Sequence, residues 1–198
     1  MKKIDGWRTR SRSGLTAIEL VMVCVIIGLV ATWALPKFDI NRYRADAAGR
    51  LVRSLLQTAQ RNAITRQSDV LVGFDVTNNR MRLVQDYNNN GMIDSTDLVQ
   101  YRGLEEGAVF AAPAVPGING TAVPRPVHGI TSKAFTTVQG LKYNVVFGRD
   151  GSASGTVEIY VTMRVGVDRE YRGILLTQST GRSDLYKWNG AKWLQMTQ

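Results

Sequence analysis

Residues 15–35 form an apolar run in which Glu19 is the only charged side chain. As a helix rising about 1.5 Å per residue it would be about 31 Å long, close to the ~30 Å hydrocarbon core of a bilayer. The run predicts a membrane-spanning helix near one end and leaves the fold to be built from the residues after Leu35. Ahead of it lies a short basic leader, Met1 to Gly14, with Lys2, Lys3, Arg8, Arg10 and Arg12 against Asp5. Lysine and arginine hold such a flank in the cytoplasm, so the chain after Leu35 is expected across the membrane.

The segment differs from an ordinary signal peptide in three ways. The basic leader ends in Gly14, directly before the apolar run. No small-x-small cleavage site comes after it, since the chain there reads Trp33-Ala34-Leu35-Pro36-Lys37. A carboxylate sits inside the hydrophobic stretch, where a charge is costly unless it lies near an end or meets a partner. Glu19 is therefore open to two readings: an interfacial residue of a signal anchor, or one that awaits an opposite charge.

Gly14-Leu15-Thr16-Ala17-Ile18-Glu19-Leu20 resembles the type III signal of type IV pilins and type II secretion pseudopilins, usually written G-F-T-L-I-E. The resemblance implies that a prepilin peptidase cuts after Gly14 and methylates the new amino terminus at Leu15. Glu19 then falls where the family keeps its glutamate, and Pro36 where many members carry a helix-bending proline. Leu15 for phenylalanine and Ala17 for leucine are departures. The implied role of Glu19 is to pair with the methylated terminus of a neighbouring subunit, with Thr16 helping to orient that terminus.

The chain has 198 residues and a formal charge of +9. About four of those charges belong to the leader, so the rest is only mildly basic, through a solvated surface or one suited to an acidic partner. Cys24, the only cysteine, lies in the apolar run, which rules out an intrachain disulfide. His128 is the only histidine and falls in a loop, so a serine–histidine triad or a multi-histidine metal site has little to draw on.

Pro36 should interrupt the helix. Helical pattern resumes near Arg42: Ala48, Val52, Leu55, Ala59 and Ala63 share one face, and Arg42, Arg44, Arg50, Arg53 and Arg61 lie mostly off it. The expected organisation is a leader at 1–14, a helix at 15–66 (membrane-spanning over 15–35, amphipathic over 36–66) and a β-rich domain at 67–198. Strands are predicted over Val70–Val76, Arg80–Gln85, Leu98–Arg102, Leu141–Phe147, Thr156–Thr162 and Arg172–Gln178. A closing hairpin is predicted around Asn189-Gly190. Residues 111–133, rich in proline and glycine, read as a long loop. The fold class is α+β: a long N-terminal helix packed on antiparallel sheet, pilin-like by resemblance.

Residues 86–97 match the spacing of an EF-hand calcium loop. Asp86, Asn88 and Asn90 fall at positions 1, 3 and 5, Gly91 at the turn, Met92 as a carbonyl donor at 7, Asp94 at 9 and Asp97 at 12. A hard cation needs six to eight oxygens, and alternate side chains of a tight loop supply them. Aspartate stands where an EF-hand has glutamate, and the flanks read as strands. An asparagine-rich turn is the competing reading.

Phe147-Gly148-Arg149-Asp150-Gly151-Ser152, with Arg172-Gly173-Ile174-Leu175-Leu176 and Gly181-Arg182, resembles the C-terminal half of the GspH/FimT minor pseudopilins. The expected function is that of a minor pseudopilin of a type II secretion pseudopilus, supporting protein export and not an enzyme. Its expected partners are other pseudopilins, the prepilin peptidase and the inner-membrane assembly platform. The expected location is the bacterial inner membrane, single-pass, with the domain in the periplasm and then in a fibre. The alternative is a FimT-type minor type IV pilin that assists pilus assembly or binds DNA in uptake. Some such pilins use a G-R-x-R pattern; here Gly181-Arg182-Ser183-Asp184 has aspartate for the second arginine. Arg182, Lys187 and Lys192, with Arg164, Arg169, Arg172, Trp188 and Trp193, are the candidates for a basic and aromatic surface. A signal-anchored periplasmic β domain with calcium as ligand is the third reading.

Overall fold

The computed structural model describes residues 14, 16–34, 40–91, 93–104, 107–120, 130–131 and 143–197. Residues 1–13 of the leader, Leu15, Pro36, Met92 and His128 lie outside them. Helices are α1 (Ala17–Ala34) and α2 (Ile40–Arg66). Strands are β1 (Val70–Asp75), β2 (Arg80–Gln85), β3 (Leu98–Gly103), β4 (Val109–Phe110), β5 (Ile130–Thr131), β6 (Tyr143–Phe147), β7 (Val157–Thr162), β8 (Arg172–Leu176), β9 (Ser183–Trp188) and β10 (Trp193–Gln195). A 3-10 turn at Asp168–Glu170 precedes β8. The chain divides into two compact units, 1–39 and 40–198, so α2 belongs with the strands.

In the first unit α1 is apolar around its whole circumference, with Ile18, Leu20, Val25, Ile26 and Leu29 all exposed. Its one mid-helix hydroxyl is satisfied locally, Thr32 Oγ1 donating to the Gly28 carbonyl at 2.8 Å. Among the described residues no helix is long and apolar enough to cross a membrane. The 18 residues of α1 rise about 27 Å, and the ends of the expected span, Leu15 and Leu35, fall outside the described residues.

The second unit is an α+β fold in which α2 packs on two antiparallel sheets. One sheet runs β3-β2-β1-β6; the other runs β10-β9-β8-β7-β4, with β5 also pairing β7. The predicted stripe Ala48, Val52, Leu55, Ala59 and Ala63 is buried, and Ala45, Gly49 and Leu56 widen it. That width lets one helix serve both sheets: Val70, Val72 and Phe74 of β1 share a single core with Ile159, Ile174 and Leu185 of the other sheet. Small residues bring α2 close. A Cβ on Gly49 would stand 2.9 Å from Leu185 Cδ1 and 3.1 Å from Arg172 Cβ. The helix stops after Arg66, where Gln67 takes a left-handed φ of 52° and its side-chain Nε2 donates to the Ile64 carbonyl at 2.8 Å.

Most predicted strands appear with ends shifted by a few residues. The last hairpin pairs Trp193 with Trp188, so four residues, 189–192, make its turn, and Asn189 Oδ1 accepts the amides of Ala191 and Lys192. The predicted 111–133 loop contains β5. Its first part, 111–120, lies on the outer face of the second sheet: Trp193 Nε1 donates to the Pro116 carbonyl at 2.7 Å, the Ile118 amide to Tyr160 Oη at 3.1 Å and the Asn119 amide to Glu158 Oε1 at 3.0 Å. The phenol of Tyr160 in turn donates to Glu158 Oε2 at 2.5 Å.

Candidate functional sites

The signal motif forms a reciprocal cap at the start of α1. Glu19 Oε2 accepts the Thr16 amide at 2.8 Å and the Thr16 hydroxyl at 2.9 Å. Thr16 Oγ1 accepts the Glu19 amide at 3.4 Å. This is the Thr-x-x-Glu capping box, which satisfies two helix-end donors at once. The carboxylate also lies at the positive end of the helix. Both bonds from Thr16 fall on Oε2.

The predicted calcium loop begins where β2 ends and finishes where β3 begins. Asp86 is buried, and its two oxygens accept the amides of Asn90 at 3.2 Å and Gly91 at 2.8 Å. Gly91 takes a φ of 71°, which glycine allows at no steric cost. The side-chain Nδ2 atoms of Asn88 and Asn90 converge on Asp94 Oδ2, donating at 2.8 and 2.9 Å. Asp94 Oδ1 accepts the Thr96 hydroxyl at 2.6 Å and its amide at 2.8 Å. These bonds, those from Thr96 foremost, hold the Asp94 carboxyl at about 2, below its ordinary 3.8.

Asp97 behaves differently. Its oxygens accept the amides of Tyr87 at 3.2 Å and Asp94 at 3.0 Å, so it clasps the two ends of the loop. Among the described residues no group of three or more His, Cys, Asp or Glu side chains gathers as a metal site. The converging set is mixed, with Asn88, Asn90 and Asp94 around one point. Carboxylate and amide oxygens are the donors calcium takes, and each amide presents its oxygen once turned over. The residues therefore fit the ion in chemistry. The loop is tied back to α2 by Arg66 Nη1 donating to Tyr87 Oη at 2.6 Å, and to the start of β1 by Asn89 Oδ1 accepting the Asp69 amide at 3.0 Å.

Not all of the basic candidates are free to share a surface. Arg172 is buried and ion-paired with Asp46 of α2, which removes it from any exposed patch. Arg182 is exposed, but its Nη2 lies 2.9 Å from Asp184 Oδ1; the aspartate that breaks the G-R-x-R pattern pairs with the arginine that remains. Lys187 and Lys192 are exposed. The indoles are engaged in packing: Trp188 and Trp193 meet edge to face at 5.5 Å, and Trp193 lies 5.4 Å from the ring of Tyr160.

The motif glycines of the last third have a structural role that spacing alone did not reveal. Gly151, at φ 82°, and Gly181, at φ 60°, face each other. A Cβ on Gly181 would lie 2.0 Å from the Gly151 carbonyl oxygen. Gln60 of α2 bridges the two turns, its Nε2 donating to the carbonyls of Gly151 at 2.9 Å and Thr180 at 2.7 Å. Gln60 was missed in the sequence because a polar residue beside an apolar stripe carries no signal of what it bonds.

No family model matches the chain, and no curated protein matches it. Among solved structures, two of the minor pseudopilin EpsH from the Type 2 Secretion System of Vibrio cholerae align with it. One shares 14% identity over 73% of this chain and 97% of that chain, with a TM-score of 0.49. The other shares 14% over 73% and 94%, with a TM-score of 0.45.

Proposed function

We propose that the protein is a minor pseudopilin of a type II secretion pseudopilus, a structural subunit with no catalytic role. The observation that carries this reading is the register of Gly14, Thr16 and Glu19 at the head of an all-round apolar helix. The order of elements, with a second helix packed on antiparallel sheets behind it, supports the same reading. In this proposal α1 anchors the precursor in the inner membrane, a prepilin peptidase cuts after Gly14 and methylates Leu15, and α1 then enters a fibre with other pseudopilins on an inner-membrane platform. Glu19 pairs with the amino terminus of the next subunit. Both bonds from Thr16 fall on Oε2, which directs the incoming cation to Oε1. In an apolar surround a lone charge is costly, so pairing sets the register between subunits.

The test is the extracellular protein profile of a strain lacking the gene, beside one carrying Glu19→Ala. Exoproteins should accumulate in the periplasm in both. Intact secretion in the deletion strain would overturn the type II assignment.

We further propose that residues 86–97 bind calcium through Asp86, Asn88, Asn90 and Asp94, with Asp97 closing the loop. Bound calcium would supply charge neutralisation and a rigid link between the end of α2 and the first sheet, not chemistry. Adding calcium should raise the thermal midpoint, because a ligand at a hundred times its dissociation constant stabilises by about 2.7 kcal/mol. Asp86→Ala with Asp94→Ala should abolish that rise. An unchanged midpoint in the native chain at millimolar calcium would reject the site.

A further inference from the structure

We propose that the end of the β-rich unit at which α2 begins is a docking surface for anionic phospholipid headgroups. The surface is assembled around buried Arg172. Its Nη2 donates to the Arg42 carbonyl at 3.4 Å and its Nη1 to the Arg169 carbonyl at 3.1 Å. In the sheet it is the cross-strand partner of Lys187. Three distant segments are thereby brought to one end, and each presents an exposed cation: Arg42, Arg169 and Lys187. Arg44 is exposed on the same first turn of α2, and Arg50 further along it.

Among the described residues, the acids near this surface are buried or bonded within the fold. Asp46 is the only acid in α2 and lies four residues from both Arg42 and Arg50, where a helical ion pair would be expected. It bonds Arg172 of β8. Glu170 is buried, and Asp168 Oδ1 accepts the Ala114 amide at 3.4 Å. Among the described residues, the exposed charge at this end is cationic.

Sequence continuity selects lipid as the occupant. Only residues 35–39 separate α2 from α1, a stretch that reaches at most about 20 Å. Helix α1 exposes apolar side chains on every side. The inference rests on the proposal that α1 is a membrane anchor. Arginine and lysine near an anionic surface are drawn to it across roughly a Debye length, each strengthening contact several-fold.

The experiment is hydrogen exchange on the full chain in nanodiscs of phosphatidylcholine, with and without phosphatidylglycerol. Peptides covering 40–50, 164–172 and 184–190 should exchange several-fold more slowly with the anionic lipid, while α1 is protected in both. The difference should vanish near 1 M salt, where the Debye length is about 3 Å, and in Arg44→Glu/Arg50→Glu/Lys187→Glu. Equal exchange in the two lipids with α1 protected overturns this proposal alone, as does a lipid effect that survives high salt or the triple variant. An α1 that exchanges freely in both bilayers overturns the anchor and this surface with it.

Discussion

The Asp46 carboxylate on α2 is bonded to the Arg172 guanidinium on β8, across 126 positions of chain. The Arg172 side chain is 3% exposed and that of Asp46 23%. Two more Arg172 donors reach the Arg169 and Tyr171 carbonyls at 3.1 and 3.0 Å, so nearly the whole guanidinium is satisfied inside the fold. Asp46→Ala would leave that charge buried without its counter-ion, a change that costs about 3–5 kcal/mol. The expected result is a lower urea midpoint at an unchanged slope. Asp46→Ala with Arg172→Met removes both charges and should recover much of the loss. A double variant no more stable than the single one would show that the pair does not couple.

Gly181→Ala should destabilise the protein by well over 1 kcal/mol. The position combines a positive φ with a backbone oxygen 2.0 Å from the new methyl, and backbone cannot step aside as a flexible side chain does. Gln60→Ala should cost less, about 1 kcal/mol, because it leaves the part-buried Gly151 carbonyl without this donor while the Thr180 carbonyl is exposed to water. Thermal unfolding of the two variants side by side checks the order.

The 111–120 segment is held to its sheet by Tyr160 and Glu158. Tyr160→Phe removes the phenol that both donates to the carboxylate and accepts the Ile118 amide, leaving buried groups short of a partner at about 1–3 kcal/mol. Trp193, bonded to Pro116 over the same segment, should report the change as altered fluorescence before global unfolding. Unchanged emission through the pre-transition region would argue that the segment does not depend on the phenol.

Asp94 titrates low, at about 2 against 3.8, because Thr96, Asn88 and Asn90 donate to its charged form. A carboxyl depressed in the folded state contributes order that is present above its unfolded value and is lost as pH falls through the folded one. The loop bonds should therefore persist at pH 4 and break near pH 2. Carboxyl-carbon chemical shifts track this directly. Thr96→Ala should raise the Asp94 midpoint more than Asn90→Ala does, as the Thr96 hydroxyl bond is the largest cause of the depression and the Asn90 bond the smallest.

Sequence alone was enough for features written in local order. Periodicity gave the stripe Ala48, Val52, Leu55, Ala59 and Ala63, and alternation with turn residues placed β1, β2 and β7 within a residue or two, because burial on one face repeats at the period of the element. Spacing also brought Asp86, Asn88, Asn90 and Asp94 into one loop, since neighbours in a tight turn have nowhere else to point. Thr16 and Glu19, read in the sequence only for a role between subunits, are three apart and cap their own helix.

Tertiary structure decided what depends on distant partners. The division of the strands into two sheets, the two-residue strands β4 and β5, and the burial of Gly49 and Leu56 arise from one helix serving two sheets. Arg172 read as a candidate surface cation and is a core residue, paired with Asp46 of α2. Nothing in either residue's neighbourhood along the chain carries that information, because a charge is buried only where the fold delivers its opposite. Gly151 and Gly181 likewise appear as separate turn glycines until the fold presses one against the other under Gln60.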